Sequence, residues 1–144
     1  MSDIRHDFPV SAARPKVFAA VATPRGLDQW WTFSSKGVAE PGAEWEFFFD
    51  QKYDWRGKVT RLEPDRLIEW EITRADADWR STLVTIELSD RADGLTWVKF
   101  AHTGWRDAGE HFRITSYCWA MYLRVLKNWL QRGEVVPYDE RLEV

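Results

Sequence analysis

One stretch near the carboxyl end of the chain, Glu110–Arg132, is predicted to form a single long helix. Its apolar residues recur at spacings of three and four, so they share one helical face. That face consists of Phe112, Thr115, Ser116, Trp119, Tyr122, Leu123, Leu126 and Leu130. Gly133 follows at the position where a left-handed carboxyl-terminal cap is expected. A helix with so wide an apolar face needs a large surface to cover it, and the rest of the chain must supply that surface.

Alternation of apolar and polar residues predicts that this surface is a β-sheet. Asp3–Val10 alternates cleanly and precedes two short helices, one over Lys16–Ala22 and one that starts at Thr23-Pro24. Further strands are predicted at Thr32–Val38, Glu44–Asp50, Trp55–Glu63, Arg66–Thr73, Arg80–Ser89 and Leu95–Thr103. Their short connections indicate an antiparallel meander. We therefore expect one α+β domain over residues 1–144, a curved antiparallel sheet around the C-terminal helix, with a loosely ordered tail at 134–144.

Composition and charge exclude several classes of function. Charged residues make up 30% of the 144 residues and the formal net charge is −3, so there is no basic excess to neutralise a nucleic acid. No apolar run approaches membrane-spanning length, and the opening MSDIRHDF has no signal-peptide core. We therefore expect a cytoplasmic protein with neither a nucleic-acid nor a membrane partner. The single cysteine, Cys118, cannot form an internal disulfide, which fits that location.

The sequence contains no recognised pattern for a metal or cofactor. The three histidines, His6, His102 and His111, and the one thiol do not form spacings such as HxxxH or CxxC. There is also no glycine-rich phosphate loop and no GxSxG elbow. The expectation is that neither a metal nor a cofactor is bound.

Ten tryptophans in 144 residues are an unusual number. They can pack as a solid core, or some of them can line a cavity, since ligand pockets are mostly apolar and aromatic. The residues predicted to face the helix–sheet interior, and so to be candidate ligand-binding residues, are Trp31, Trp45, Phe47, Trp70, Val84, Phe100, His102, Trp119 and Tyr122. Trp55, Trp79 and Trp105 fall at strand ends or loops, where each either rims a cavity mouth or an interface or anchors a packed loop.

Two inward-facing polar residues are weak candidates for a catalytic acid and base. His102 shares a strand face with Val98 and Phe100, so it is either a hydrogen-bonded core histidine or a polar anchor for a ligand. Tyr122 lies on the sheet-facing side of the long helix, where a buried hydroxyl needs a partner. Glu69 and Glu71 share the outer face of one strand, which is expected to be solvated. They are therefore interpreted as surface charges and not as paired catalytic carboxylates.

Several short blocks follow one another in a fixed order along nearly the whole chain. They are Phe8-Pro9-Val10, Lys16–Pro24 with Leu27 and Trp30-Trp31, Pro41-Gly42 with Trp45 and Phe47, Gly57-Lys58-Val59 with Pro64, Ile68 and Trp70, Thr96, Val98, Phe100, His102 and Gly104-Trp105, and Trp119 with Leu123, Leu126 and Leu130. Together these blocks resemble the Hsp90-ATPase-activator-homologue-like group of the START/SRPBCC superfamily, also called Bet v 1-like. The resemblance implies the helix-grip fold and, commonly, a cavity between helix and sheet for small apolar ligands.

The resemblance does not imply one activity, because the superfamily includes lipid carriers, plant hormone binders, polyketide cyclases and co-chaperone domains. Three functions therefore stay open. The favoured one is the binding of a small apolar or aromatic molecule. The second is a metal-free cyclase or dehydratase that uses His102 and Tyr122. The third is a protein-interaction module, as a homodimer or beside a chaperone, with Phe48, Trp97 and Trp105 as outer aromatic contacts.

Overall fold

The order of strands and helices is the one that the sequence predicts. The computed structural model describes residues 1–50 and 54–143. Its strands and helices in chain order are β1 (Ser2–Val10), α1 (Arg14–Val21), α2 (Pro24–Leu27), β2 (Ser34–Lys36), β3 (Glu44–Phe48), β4 (Asp54–Glu63), β5 (Leu67–Arg74), β6 (Leu83–Asp90), β7 (Thr96–Trp105) and α3 (Glu110–Arg132). Single 3₁₀ turns lie at Ala92–Gly94 and Tyr138–Glu140.

The seven strands form one sheet in the spatial order β1-β7-β6-β5-β4-β3-β2, and every neighbouring pair is antiparallel. Strands β2 to β7 are a meander, while β1 returns to the far edge beside β7. The two short helices connect β1 to β2 and so link the two edges of the sheet. The predicted α+β helix-grip architecture is confirmed.

Helix α3 covers the inner face of the sheet, and its predicted bounds are confirmed. It buries Thr115, Trp119, Leu123, Val125, Leu126 and Leu130. Gly133 has φ 68° and donates its backbone N–H to the Trp129 carbonyl at 2.9 Å, which is the expected left-handed cap. The sheet contributes the inward side chains of its central strands, Ile68, Trp70, Val84, Ile86, Leu88, Val98 and Phe100. Side chains from helix and sheet therefore meet in one continuous core.

Of the two positions considered for Trp105, an outer contact and a packed anchor, the structure supports the packed anchor. Trp105 is buried, with its ring centroid 5.4 Å from Phe112 and 4.9 Å from His102. Strict alternation along β7 would turn this side chain outward. Gly104, however, has φ 87°, a conformation that glycine tolerates, and this shifts the alternation so that Trp105 points inward.

The prediction that Glu69 is a solvated surface charge is wrong. Glu69 lies on the outer face of β5, yet it is only 6% exposed. Its carboxylate accepts hydrogen bonds from the hydroxyls of Thr60 at 3.0 Å and Thr85 at 2.8 Å, and pairs with Arg61 at 3.4 Å. These partners come from the two neighbouring strands, β4 and β6. Glu71, two residues further along the same face, is less deeply buried, so the two carboxylates are not equivalent.

None of the helices in residues 1–50 and 54–143 is long and apolar enough to cross a membrane.

We expect Glu69→Gln to reduce the free energy of unfolding by about 1 to 3 kcal/mol, because a buried, charge-assisted hydrogen-bond network loses its acceptor. Glu71→Gln is the matched control and should change the same quantity by less than about 0.5 kcal/mol. Urea denaturation of both variants measures the difference. Equal losses in the two variants would contradict the assignment of Glu69 to a buried network.

Candidate functional site

A pocket of about 370 Å³ lies where the first half of α3 meets the ends of β3 and β4, the turn before β6 and the C-terminal tail. Its lining is mainly aromatic and apolar, with acidic groups at the edge: Trp31, Phe49, Asp50, Trp55, Asp76, Trp79, His111, Ile114, Thr115, Cys118, Trp119, Tyr122, Tyr138 and Leu142. At the edge His111 Nδ1 lies 3.0 Å from a carboxylate oxygen of Asp78. The volume falls within the usual range for small-molecule sites.

Five aromatic residues of the lining form a closed circuit. The ring centroids of Trp31 and Phe49 are 5.4 Å apart, those of Phe49 and Trp55 are 5.1 Å apart, and those of Trp55 and Trp79 are 4.5 Å apart. Trp79 then stacks on Trp119 at 5.9 Å, and Trp119 lies 4.9 Å from Trp31. Rings in mutual contact hold one another in place. The wall of the pocket is therefore largely preformed.

The tail supplies the remaining wall through Tyr138 and Leu142, and Arg141 holds it in place. Arg141 is 5% exposed and donates to three backbone carbonyls, those of Val136 at 3.2 Å, Thr32 at 3.0 Å and Asp28 at 2.6 Å. Burial lowers the pKa of its guanidinium below the ordinary value.

Sequence analysis assigned this segment to a loosely ordered tail. The anchoring role of Arg141 could not be predicted from the sequence, because two of its three partners are main-chain oxygens about 110 residues away.

Beneath the pocket, His102 belongs to a chain of four hydrogen-bonding groups. Trp119 Nε1–H donates to His102 Nδ1 at 3.1 Å, so Nδ1 carries the lone pair. The proton of the neutral ring is then on Nε2, which donates to Thr82 Oγ1 at 2.8 Å, and the Thr82 hydroxyl donates to the Trp79 carbonyl. Burial lowers the pKa of the imidazole to about 3, with a further contribution from repulsion by His111.

The two catalytic candidates are therefore poorly placed for acid–base chemistry at neutral pH. His102 is outside the pocket lining, and both of its ring nitrogens are already bonded. Tyr122 does line the pocket, but burial raises the pKa of its hydroxyl to about 12. Cys118 also lines the pocket, and burial raises the pKa of its thiol, which disfavours the nucleophilic thiolate.

The structure divides the nine predicted ligand-binding residues into two sets. Trp31, Trp119 and Tyr122 line the pocket. The other six are fully buried in the core beyond it: Trp45, Phe47, Trp70, Val84, Phe100 and His102. Trp55 and Trp79, considered for a cavity mouth, do line the pocket. Sequence analysis missed Asp76 in the turn before β6 and Tyr138 and Leu142 in the tail, where no periodic pattern was present to indicate an inward face.

Within the described ranges, no group of three or more His, Cys, Asp or Glu side chains is arranged to hold a metal ion.

Comparison with protein families gives a match over residues 11–131 to the family described as Activator of Hsp90 ATPase homolog 1-like protein. A comparison with curated proteins gives no match. Among solved structures, the Aha1 dimer from Colwellia psychrerythraea is 27% identical with a TM-score of 0.83, and the alignment covers 93% of this chain and 99% of that one.

Two further structures show the same fold at lower identity. CalU16 from Micromonospora echinospora is 22% identical with a TM-score of 0.75, and the alignment covers 98% of this chain and 84% of that one. DynU16, from the dynemicin biosynthetic locus, is 19% identical with a TM-score of 0.79. That alignment covers 94% of this chain but only 49% of DynU16.

Arg141→Met should release the tail, because it keeps the apolar stem of the side chain but removes the donors that bind the Thr32 and Asp28 carbonyls. We expect amides in residues 134–143 to lose hydrogen-exchange protection while α3 keeps its own. Stability should fall by about 1 to 3 kcal/mol. Arg132→Met, at an exposed arginine, is the control and should stay within about 0.5 kcal/mol of the wild type. Unchanged protection of the tail in Arg141→Met would refute its role as the anchor.

The neutral His102 should make stability depend on pH between 7 and 5. In the unfolded chain the imidazole is protonated below its ordinary pKa of 6.5, whereas in the folded protein it stays neutral until about pH 3. Protonation therefore favours unfolding in this window. The stabilising contribution of the neutral His102 ring to the free energy of unfolding is fully present above pH 6.5. It is lost as the pH falls toward 3, by up to about 1.4 kcal/mol per pH unit.

The measurement is the free energy of unfolding of the wild type, His102→Gln and His6→Gln at pH 7, 6 and 5. The slope should flatten in His102→Gln alone, because His6→Gln retains the buried imidazole. A slope that is the same in all three proteins would show that His102 is not the responsible group.

Proposed function

The chain belongs to the Activator of Hsp90 ATPase homolog 1-like family, and from that premise we propose that it binds a small apolar or aromatic molecule in the pocket beside α3. The observation that carries the proposal is the closed circuit of ring contacts among Trp31, Phe49, Trp55, Trp79 and Trp119, which line a space of about 370 Å³. Apolar walls with a few polar groups at the edge are typical of ligand sites. A wall that is already formed lowers the entropic cost of binding.

The alternative of a cyclase- or dehydratase-type enzyme has less support. It would need an acid and a base that reach the same bound molecule, and of the two candidates only Tyr122 reaches the pocket. With a pKa of about 12 for Tyr122 and about 3 for His102, neither group exchanges a proton readily at pH 7. The same pocket can hold and orient a molecule without either group reacting.

A protein-interaction module is the second candidate, and one finding favours it. The Colwellia relative is described as a dimer, and this chain exposes apolar side chains at Phe33, Ile114 and Leu142, of which the last two line the pocket. A homodimer would cover them. Sedimentation as a monomer at high protein concentration would remove the homodimer form of this candidate.

The cytosol is the proposed location for either function. It is supported by the single cysteine, which can form no internal disulfide and is suited to a reducing compartment.

The binding proposal is tested with N-phenylnaphthylamine, an uncharged aromatic probe whose fluorescence rises in apolar surroundings. We expect saturable binding, and thermal stabilisation of about 2.7 kcal/mol when the free probe is at 100 times its Kd, because the probe binds only the folded state. Failure to bind, together with an unchanged melting temperature, would count against the proposal.

A pair of variants locates the bound probe. Cys118→Phe places a ring inside the pocket and should abolish probe binding, whereas Arg113→Phe adds the same ring at an exposed position of α3 outside the lining and should leave it unchanged. Probe binding that persists in Cys118→Phe would place the probe elsewhere on the protein.

A further inference from the structure

We propose that the pocket selects molecules that carry a positive charge beside an aromatic group, such as a protonated arylalkylamine. This inference rests on the proposed function, since it names the chemical class of ligand for the same pocket. Two observations carry it: the aromatic character of the walls and the sign of the charges at the edge.

The walls favour a cation over an anion of the same shape. The π-electron faces of tryptophan, tyrosine and phenylalanine are negative, so they attract an ammonium group and repel a carboxylate. Tryptophan gives the strongest attraction, and four tryptophans line the pocket, Trp31, Trp55, Trp79 and Trp119. An aromatic ligand with an amine can therefore stack by its ring and still gain from the charge that it carries.

The charged groups at the edge have the same preference. Asp50 and Asp76 belong to the lining, and none of the described lining residues is a lysine or an arginine. His111, which also lines the pocket, is bonded to the carboxylate of Asp78. Asp76 is exposed, and its side chain makes no hydrogen bond or ion pair within the described ranges. Its carboxylate is therefore available to an ammonium group of the ligand.

Arg141 is a positive charge beside the tail side of the pocket. It stands outside the lining, 5.4 Å from the centroid of the Tyr138 ring, and its charge acts on the Tyr122 hydroxyl. Its hydrogen bonds go to neutral carbonyls, so we expect the ammonium group of the ligand at the Asp76 edge and not beside the tail. An anionic ligand would place its charge beside Asp76 without a cationic partner in the described lining, which is costly in a partly desolvated site. A neutral ligand would gain from stacking but leave the Asp76 carboxylate unpaired.

The test compares three naphthalenes substituted at the same ring position: naphthylethylamine, naphthylethanol and naphthylacetic acid. They present a cation, a neutral group and an anion on one ring system, and calorimetry at pH 7 gives the Kd of each. We expect the amine to bind about tenfold more tightly than the alcohol, and the acid to bind most weakly. The preference for the amine should shrink at high salt, because exposed charges are screened.

Asp76→Asn should weaken binding of the amine about 3- to 5-fold and leave the alcohol within about twofold. Asp93→Asn is the matched control. It makes the same change of charge in an exposed turn outside the pocket lining, where asparagine also tolerates the positive φ of 65°, and it should change neither ligand.

The outcomes separate this inference from the proposed function. An alcohol or acid that binds as tightly as the amine would leave the proposed function standing and overturn the selection for a cation. An amine whose Kd does not change in Asp76→Asn would overturn it too. If none of the three compounds binds and N-phenylnaphthylamine also fails, the proposed function falls and the inference falls with it.

Discussion

The hydrogen bond from Trp119 to His102 is the contact on which the interior depends, because it joins the helix and the sheet through fully buried polar atoms. Its direction fixes the imidazole tautomer, and the tautomer fixes the bond to Thr82 at the start of β6. A buried polar chain whose members all have partners is strong in a low-dielectric interior and specifies one arrangement of the core. Trp119 also forms part of the pocket wall. The bond therefore positions the core and the site together.

The fold could be predicted wherever a local pattern determines structure. Glu110–Arg132 has a regular period over many turns and a glycine at its end, so even its bounds were predictable. The position of Trp105 stayed open because one left-handed glycine changes the side on which later residues lie. Glu69 was misplaced because its burial is produced by Thr60 and Thr85 on adjacent strands. Neither cause is visible in the period-2 alternation of a single strand.

The site was less predictable than the fold. An inward-facing position is necessary for a pocket residue but not sufficient, since residues such as Trp70 face inward and are packed on every side. What distinguishes Trp31 and Trp119 is their contact with Phe49 and Trp79, beside which they line the pocket. The remaining wall comes from the tail, whose docking through Arg141 follows no periodic pattern. A site built from chain segments this far apart in sequence becomes recognisable only in three dimensions.

The position of Tyr138 and Leu142 also bears on how such proteins diversify. The match to the family model extends over residues 11–131, so these two wall residues lie beyond it, on a segment held by Arg141 and by the contact of Tyr138 with Phe33. Substitutions in this segment can change the shape of one side of the pocket without disturbing the sheet or its helix. In this chain the shape of the pocket can therefore change through the tail alone.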